Sequence, residues 1–170
     1  HETDVLNYSQ LNGAGTLENA GNFNVNNGFE DQLIPGVEFA LDPNNIAAEI
    51  LTYLHFPEPG AYTIIFNSDD GFQTTVFSEQ REQLNSTIIS RADVGRGATD
   101  TAQLLYVPTA GYYPFRSVWF EGGGGANLEW VAITPKGGKA LINDASNANS
   151  LKAYRERSGA AGAAVTFTSP

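Results

Sequence analysis

Between Ala47 and Ile133, apolar and polar side chains alternate residue by residue in run after run, and each run stops at proline or glycine. A period of two sends successive side chains to opposite faces of a strand, and a helix with its 3.6-residue repeat cannot use it. "AAEILTYLHF", Ala47 to Phe56, sets Ile50, Leu54 and Phe56 on one face and Glu49, Tyr53 and His55 on the other; Pro57 and Pro59-Gly60 end it. "AYTIIFNS" follows, and after Asp69-Asp70-Gly71 the chain resumes as "FQTTVFS", a pattern that reads as a hairpin. "AQLLYV" and "YYPFRSVWF" add two strands. Pro114, with no amide hydrogen to donate, predicts an edge or a bulge at its end of the second. Glu121 and four glycines then lead into "ANLEWVAI", which reads as a second hairpin. At least six antiparallel strands with short turns and little helix predict an all-β fold. Its expected form is an antiparallel two-sheet β-sandwich, or flattened barrel, with long loops.

The flanks are less regular. Asn7 to Asn27 is dense in asparagine and glycine, whose local hydrogen bonds compete with a strand ladder, and reads as mostly loop. Its "NFNVNNG" fails as an EF-hand loop because the glycine falls one place late and Leu33 stands where the closing glutamate belongs. Ser78 to Asp100 reads as an elaborated loop around the short strand "STIIS". Beyond Pro135 the signal narrows to a strand at Ala140 to Ile142 and a short element within Leu151 to Arg157. The 170 residues are expected to form one domain over residues 1–157, with 158–170 a linker or a terminal strand leading to a further domain.

Nineteen acidic residues stand against nine basic ones, a formal charge of −10, so the field of the chain repels nucleic acid and anionic membrane surfaces. No window offers the roughly 18 apolar residues of a membrane span. The absence of cysteine removes disulfides and thiolate sites and suits an exported bacterial surface protein. A chain that opens on His1 and contains no methionine is expected to be a mature or excised segment. Asn85 heads a glycosylation sequon, relevant in a eukaryotic secretory route.

Taken by itself, Asp69-Asp70-Gly71 is first of all a turn, since Asp bonds its own backbone and Gly accepts positive φ. It also places two carboxylates where each raises the pKa of the other unless a cation intervenes. Calcium takes six to eight oxygens, mixing carboxylates with carbonyls and water, and tolerates irregular geometry. Backbone carbonyls from the glycine run, Gly123 and Gly124 among them, would complete such a set. Glu121 is either a side-chain ligand or a solvated turn residue, and Asn127 is expected in a structural pairing. Trp119 and Trp130, inside alternating strands, are expected in the core. Tyr112 and Tyr113, beside a turn, are candidates for a contact surface. The loop carrying Arg91, Asp93, Arg96 and Asp100 is expected to set specificity, and His1 and His55 are too far apart for a histidine metal site.

"GAYTIIFNSDDGF", followed about forty residues later by "AGYYPFRSVWFEGGGGANLEW", resembles the protective-antigen domain family, the PA-fourteen fold of bacterial toxins, glycosidases and fungal adhesins. The resemblance covers roughly Ala47 to Ile133. It implies a β-sandwich and, in the adhesin and flocculin branch, calcium-dependent binding of sugars through adjacent aspartates joined by a cis peptide. Asp69 and Asp70 match that pair; the second calcium loop of the family, which carries an asparagine there, falls on the glycine-rich Glu121 to Gly125. The implied module is a lectin or adhesin domain of a larger secreted or cell-surface protein, a monomer within a multidomain chain. Its ligand would be a glycan, with Asp69, Asp70, Gly122, Gly123, Arg91 and Asp93 contacting it. The chain offers no nucleophile elbow, phosphate loop or metalloprotease helix, and no enzyme activity is expected. Two other readings stand beside this one: a structural spacer without ligand, and a glycosidase domain pairing Glu121 with one of the aspartates.

Overall fold

The structure, a computed structural model, describes residues 5–76 and 84–156. The expectations for His1 and for residues 158–170 fall outside them. Among the described residues eleven strands form: β1 (Asn7–Ser9), β2 (Gln32–Leu33), β3 (Ile46–Phe56), β4 (Gly60–Asp69), β5 (Phe72–Val76), β6 (Thr87–Ala92), β7 (Thr99–Val107), β8 (Gly111–Glu121), β9 (Asn127–Ile133), β10 (Lys139–Leu141) and β11 (Lys152–Tyr154). A 3-10 turn spans Val25–Asn27, and no helix among the described residues is long and apolar enough to cross a membrane. One sheet runs β2-β1-β9-β4-β7, with β10 also beside β9; the other runs β11-β3-β8-β5-β6. Every pairing between these strands is antiparallel except β1 with β2. The all-β two-sheet sandwich expected from the alternation is the fold observed.

The inward positions are those the period of two selects. Tyr62, Ile64 and Phe66 of β4 and Leu128, Trp130 and Ala132 of β9 meet Leu54 and Phe56 of β3 and Phe115 and Trp119 of β8. An edge-to-face aromatic pair crosses this interface, Phe56 and Tyr62 at 4.9 Å between ring centroids, and a second, Phe66 and Trp130 at 5.2 Å, joins neighbouring strands of the first sheet. Both tryptophans are buried, as expected. Tyr113 is not the surface residue proposed from its position beside a turn: it shares the inward face of β8 with Phe115 and Trp119 and is 1% exposed. Tyr112, one residue out of phase, lies on the outer face, its ring 4.7 Å from that of His55.

Both predicted hairpins are absent. β4 and β5 lie in different sheets, and so do β8 and β9, so Asp69-Asp70-Gly71 and the four glycines are crossings from one sheet to the other. Alternation identifies a strand and its buried face, but it does not identify the neighbour that supplies the hydrogen bonds. β8 is an inner strand, and Pro114 sits one residue beyond the last described pair with β5, Val76 with Phe115. The loss of one amide donor there interrupts no described β5 pairing.

The asparagine-rich segment is mostly loop, and it does structural work. Phe23 and Phe29 pack on Ile65, Val131 and Leu141, closing the outer face of the first sheet. The buried Glu129 of β9 accepts the amide N–H groups of Asn22 (3.0 Å) and Phe23 (2.8 Å). Gly21, at φ 84°, is required here, because a Cβ would run into the Glu129 carboxylate. With its face to the core fully covered, Trp130 is the largest single packing element of β9, and Trp130→Ala should cost about 3–5 kcal/mol in a denaturant titration.

Candidate metal centre

Three sheet-to-sheet connections meet at one end of the sandwich: residues 70–71 between β4 and β5, 93–98 between β6 and β7, and 122–126 between β8 and β9. Asp69 makes the last pair of the first sheet, with Asn127 of β9. The next residues change partner. Asp70 N–H donates to Phe120 O at 3.2 Å, and Phe120 N–H donates to Gly71 O at 3.0 Å, before β5 opens with Phe72 opposite Trp119. The peptide bond between Asp69 and Asp70 is cis. The crossing is held from within by the Trp119 indole N–H on Asp69 O (3.0 Å) and by Ser68 Oγ–H on Asp70 O (2.7 Å).

Asp69, Asp70 and Glu121 each bring a carboxylate oxygen to within 4.8 Å of the other two. Asp70 is held by main-chain donors: Arg96 N–H on Oδ1 at 2.6 Å and Gly122 N–H on Oδ2 at 2.9 Å. Glu121 is 1% exposed, yet neither of its carboxylate oxygens has a hydrogen bond of ordinary geometry. The nearby amides of Gly123 and Asp70 only partly offset its burial and the charges of Asp70 and Asp69, which together push its pKa up to about 7. Burial, then Asp70 and Glu18, push Asp69 up to about 6. A buried carboxylate left without a donor is costly, and a cation is the group that would satisfy both oxygens at once. The donors therefore fit a hard, oxygen-seeking metal ion.

Arg96 organises the crossing from outside. Its guanidinium donates to Asp70 O (3.3 Å), Thr101 Oγ1 (2.8 Å) and Ser68 Oγ (2.6 Å), and it lies over the Phe72 ring at 5.5 Å. The glycine run is fastened at Gly124, whose N–H donates to Asn44 Oδ1 (3.1 Å) and whose carbonyl accepts from Gln10 Nε2 (2.9 Å). The Glu18 carboxylate lies beside Gly125 on the same side as that of Asp69. Asn127 pairs structurally, donating to Asn67 Oδ1 at 3.0 Å, as expected.

Of the predicted site residues, Asp69, Asp70, Glu121 and Gly122 to Gly124 come together. Arg91 and Asp93 stand apart, on a groove along the outer face of the second sheet. The sequence assigns Arg96 only to a charged loop, and it assigns no role to Glu18, Asn44 or Gln10. No local pattern marks the last three, whose roles come from loops folding back across the chain.

No protein-family model matches this chain, and no curated protein does. Among solved structures it is similar to the epithelial adhesin 9 A domain of Candida glabrata in complex with Galb1-3GlcNAc, at 16% identity and a TM-score of 0.49 over 64% of this chain and 53% of that one. It is similar also to a subtype-switched epithelial adhesin 9 to 1 A domain of the same organism in complex with beta-lactose, at 16% identity and a TM-score of 0.48 over 64% and 51%. The chain spans about half the length of these structures.

Because Asp69 and Glu121 hold protons more tightly folded than unfolded, their protonation favours the fold below about pH 4, and that advantage is lost as pH rises through about 6 and about 7. The melting temperature of the chelator-treated protein should accordingly fall between about pH 5 and about pH 8. Glu121→Gln should reduce that fall and raise the metal-free melting temperature at the upper end, which differential scanning calorimetry reads directly.

Proposed function

We propose that this domain binds carbohydrate through a calcium ion held by Asp69, Asp70 and Glu121, with carbonyls of the glycine run, Gly123 and Gly124 among them, as further ligands. The observation that carries the reading is the Glu121 carboxylate: buried, without a hydrogen bond of ordinary geometry, and within 4.8 Å of the oxygens of two aspartates. Calcium suits an all-oxygen, irregular donor set that combines charged and backbone groups. A carbonyl oxygen has two lone pairs, so the Gly124 oxygen that accepts from Gln10 keeps one free. The exposure of Gly122, Gly123 and Gly124 supports a site that faces solvent rather than one enclosed by protein.

Bound calcium would supply open positions where two neighbouring sugar hydroxyls replace water. The remaining tasks belong to the chain. Arg96 and Gly122 hold the Asp70 carboxylate through main-chain N–H groups, so its orientation does not depend on the ligand. The exposed glycines let a ring approach the backbone without a side chain in the way. On this reading the domain is a lectin-type module of a larger secreted or surface protein, and weak single sites gain strength through multivalency.

The arrangement argues against a glycosidase. A catalytic carboxyl pair needs about 5–9.5 Å between its members to accommodate a sugar bond or a water. Here one oxygen from each of the three carboxylates lies within 4.8 Å of the other two, and two of the three belong to adjacent residues.

Calcium at a hundredfold excess over its Kd should stabilise the domain by about 2.7 kcal/mol, read as a rise in melting temperature that chelator reverses. Glycan-array binding should vanish with chelator while circular dichroism stays unchanged; equal binding with and without chelator would reject the calcium bridge. A calcium-independent melting temperature together with no glycan signal would favour the spacer. Arg96→Ala, which removes a support of the ligands rather than a ligand, should weaken calcium on the order of tenfold in isothermal titration.

A further inference from the structure

A groove of about 300 Å³ runs along the outer face of the second sheet, immediately beside the acidic cluster. Val118 and Phe120, two apart on β8, share that face and line one side of it, Arg91 and Asp93 line the other, and Gln73 of the intervening β5 lies between them. Register places Gln73 directly opposite both Arg91 and Val118. The groove and the cluster share a wall, since Phe120 exchanges backbone hydrogen bonds with Asp70 and Gly71 and precedes Glu121. Gly71 makes this possible: a Cβ there would stand 2.5 Å from the Phe120 ring and 2.6 Å from Ala92 O.

Among the described residues, the side chains of Gln73, Arg91 and Asp93 engage in no hydrogen bond or ion pair. An amide, a guanidinium and a carboxylate thus stand unpaired beside an apolar, partly aromatic wall. A pyranose has the matching chemistry, with C–H groups on one face for an aromatic ring and hydroxyls at its edge that both donate and accept. Arg91 and Asp93 offset one another in charge, which favours an uncharged ring over an acidic one.

We infer that this groove is a second saccharide subsite, so that the ligand of the domain is an oligosaccharide whose first ring sits at the acidic cluster and whose next ring lies on Val118 and Phe120. The inference rests on the carbohydrate reading above and extends it from one sugar unit to two. A contact of this aromatic class should make a disaccharide about three- to tenfold tighter than its parent monosaccharide.

Isothermal titration of the full chain in calcium, with methyl α-mannoside, β-glucoside and β-galactoside against mannobiose, cellobiose and lactose, measures that ratio. For at least one pair it should exceed about threefold. In Arg91→Ala, and separately in Val118→Lys, which fills the groove, the ratio should fall to about one, with circular dichroism and melting temperature reporting that each variant is folded. Monosaccharide binding with a wild-type ratio of about one, or a raised ratio that survives both substitutions, overturns the subsite and leaves the calcium-sugar reading standing. Calcium binding without any saccharide binding overturns both.

Discussion

Like-charge repulsion among three carboxylates is the constraint around which one end of this sandwich is arranged. Asp69 and Glu121 have their pKa values raised by burial and by their acidic neighbours, so the fold holds charge where water would otherwise disperse it. It aims two main-chain donors at Asp70, sets the Ala98 amide beside Asp69, and leaves Glu121 without any of ordinary geometry. That asymmetry separates the cluster from an ordinary surface of acids, in which each group would turn to solvent. Perturbed carboxyls at a partly exposed end of the sandwich are the physical motive for the binding site proposed above.

The same tension recurs behind the site. Register lines up Asn7, Glu129, Asn67 and Asp100 across β1, β9, β4 and β7 as one polar row on the outer face of the first sheet. Asn67 donates to Asp100 Oδ1 (2.8 Å) and Asn7 donates to Asp31 Oδ1 (2.9 Å). Burial pushes Glu129 up to about 7 and Asp31 up to about 6. This row fastens the asparagine-rich segment over the sheet, and that segment in turn carries Glu18 to the side of Asp69. The acidic end and the covering loop are therefore parts of one polar layer, continuous across the sheet from Asp31 to the crossing.

Strands were legible in the sequence because each inward face carries its own record: Ile64 and Phe66, Phe115 and Trp119, Leu128 and Trp130 all sit where alternation puts them. Partners were not. "FNSDDGFQTTVF" reads equally as two strands of one sheet and as one strand from each of two, because a three-residue connector serves either and only long-range pairing decides. The aspartate pair was legible as a local charge conflict, and Glu121 as the residue before the glycines. Arg96, Asn44, Gln10 and Glu18 were not legible as parts of the site. Their contacts span large sequence separations, and in the chain each looks like any polar loop residue.

A run of four glycines would ordinarily leave a loop with many conformations to lose on binding a ligand. Here Gly122 N–H is tied to Asp70, and both backbone groups of Gly124 are tied to Asn44 and Gln10, side chains that come from the opposite flank of the chain. The loop is thus ordered by the fold before any cation arrives. On the calcium reading proposed above, a cation would have to overcome desolvation and would gain chiefly the relief of carboxylate repulsion, so its affinity would depend on charge and burial at Glu121 and Asp69 more than on ordering the backbone. The glycines, freed from supplying order, contribute access: with Gly122 to Gly124 exposed, a hydroxylated ring can reach the acidic cluster from solvent without displacing a side chain.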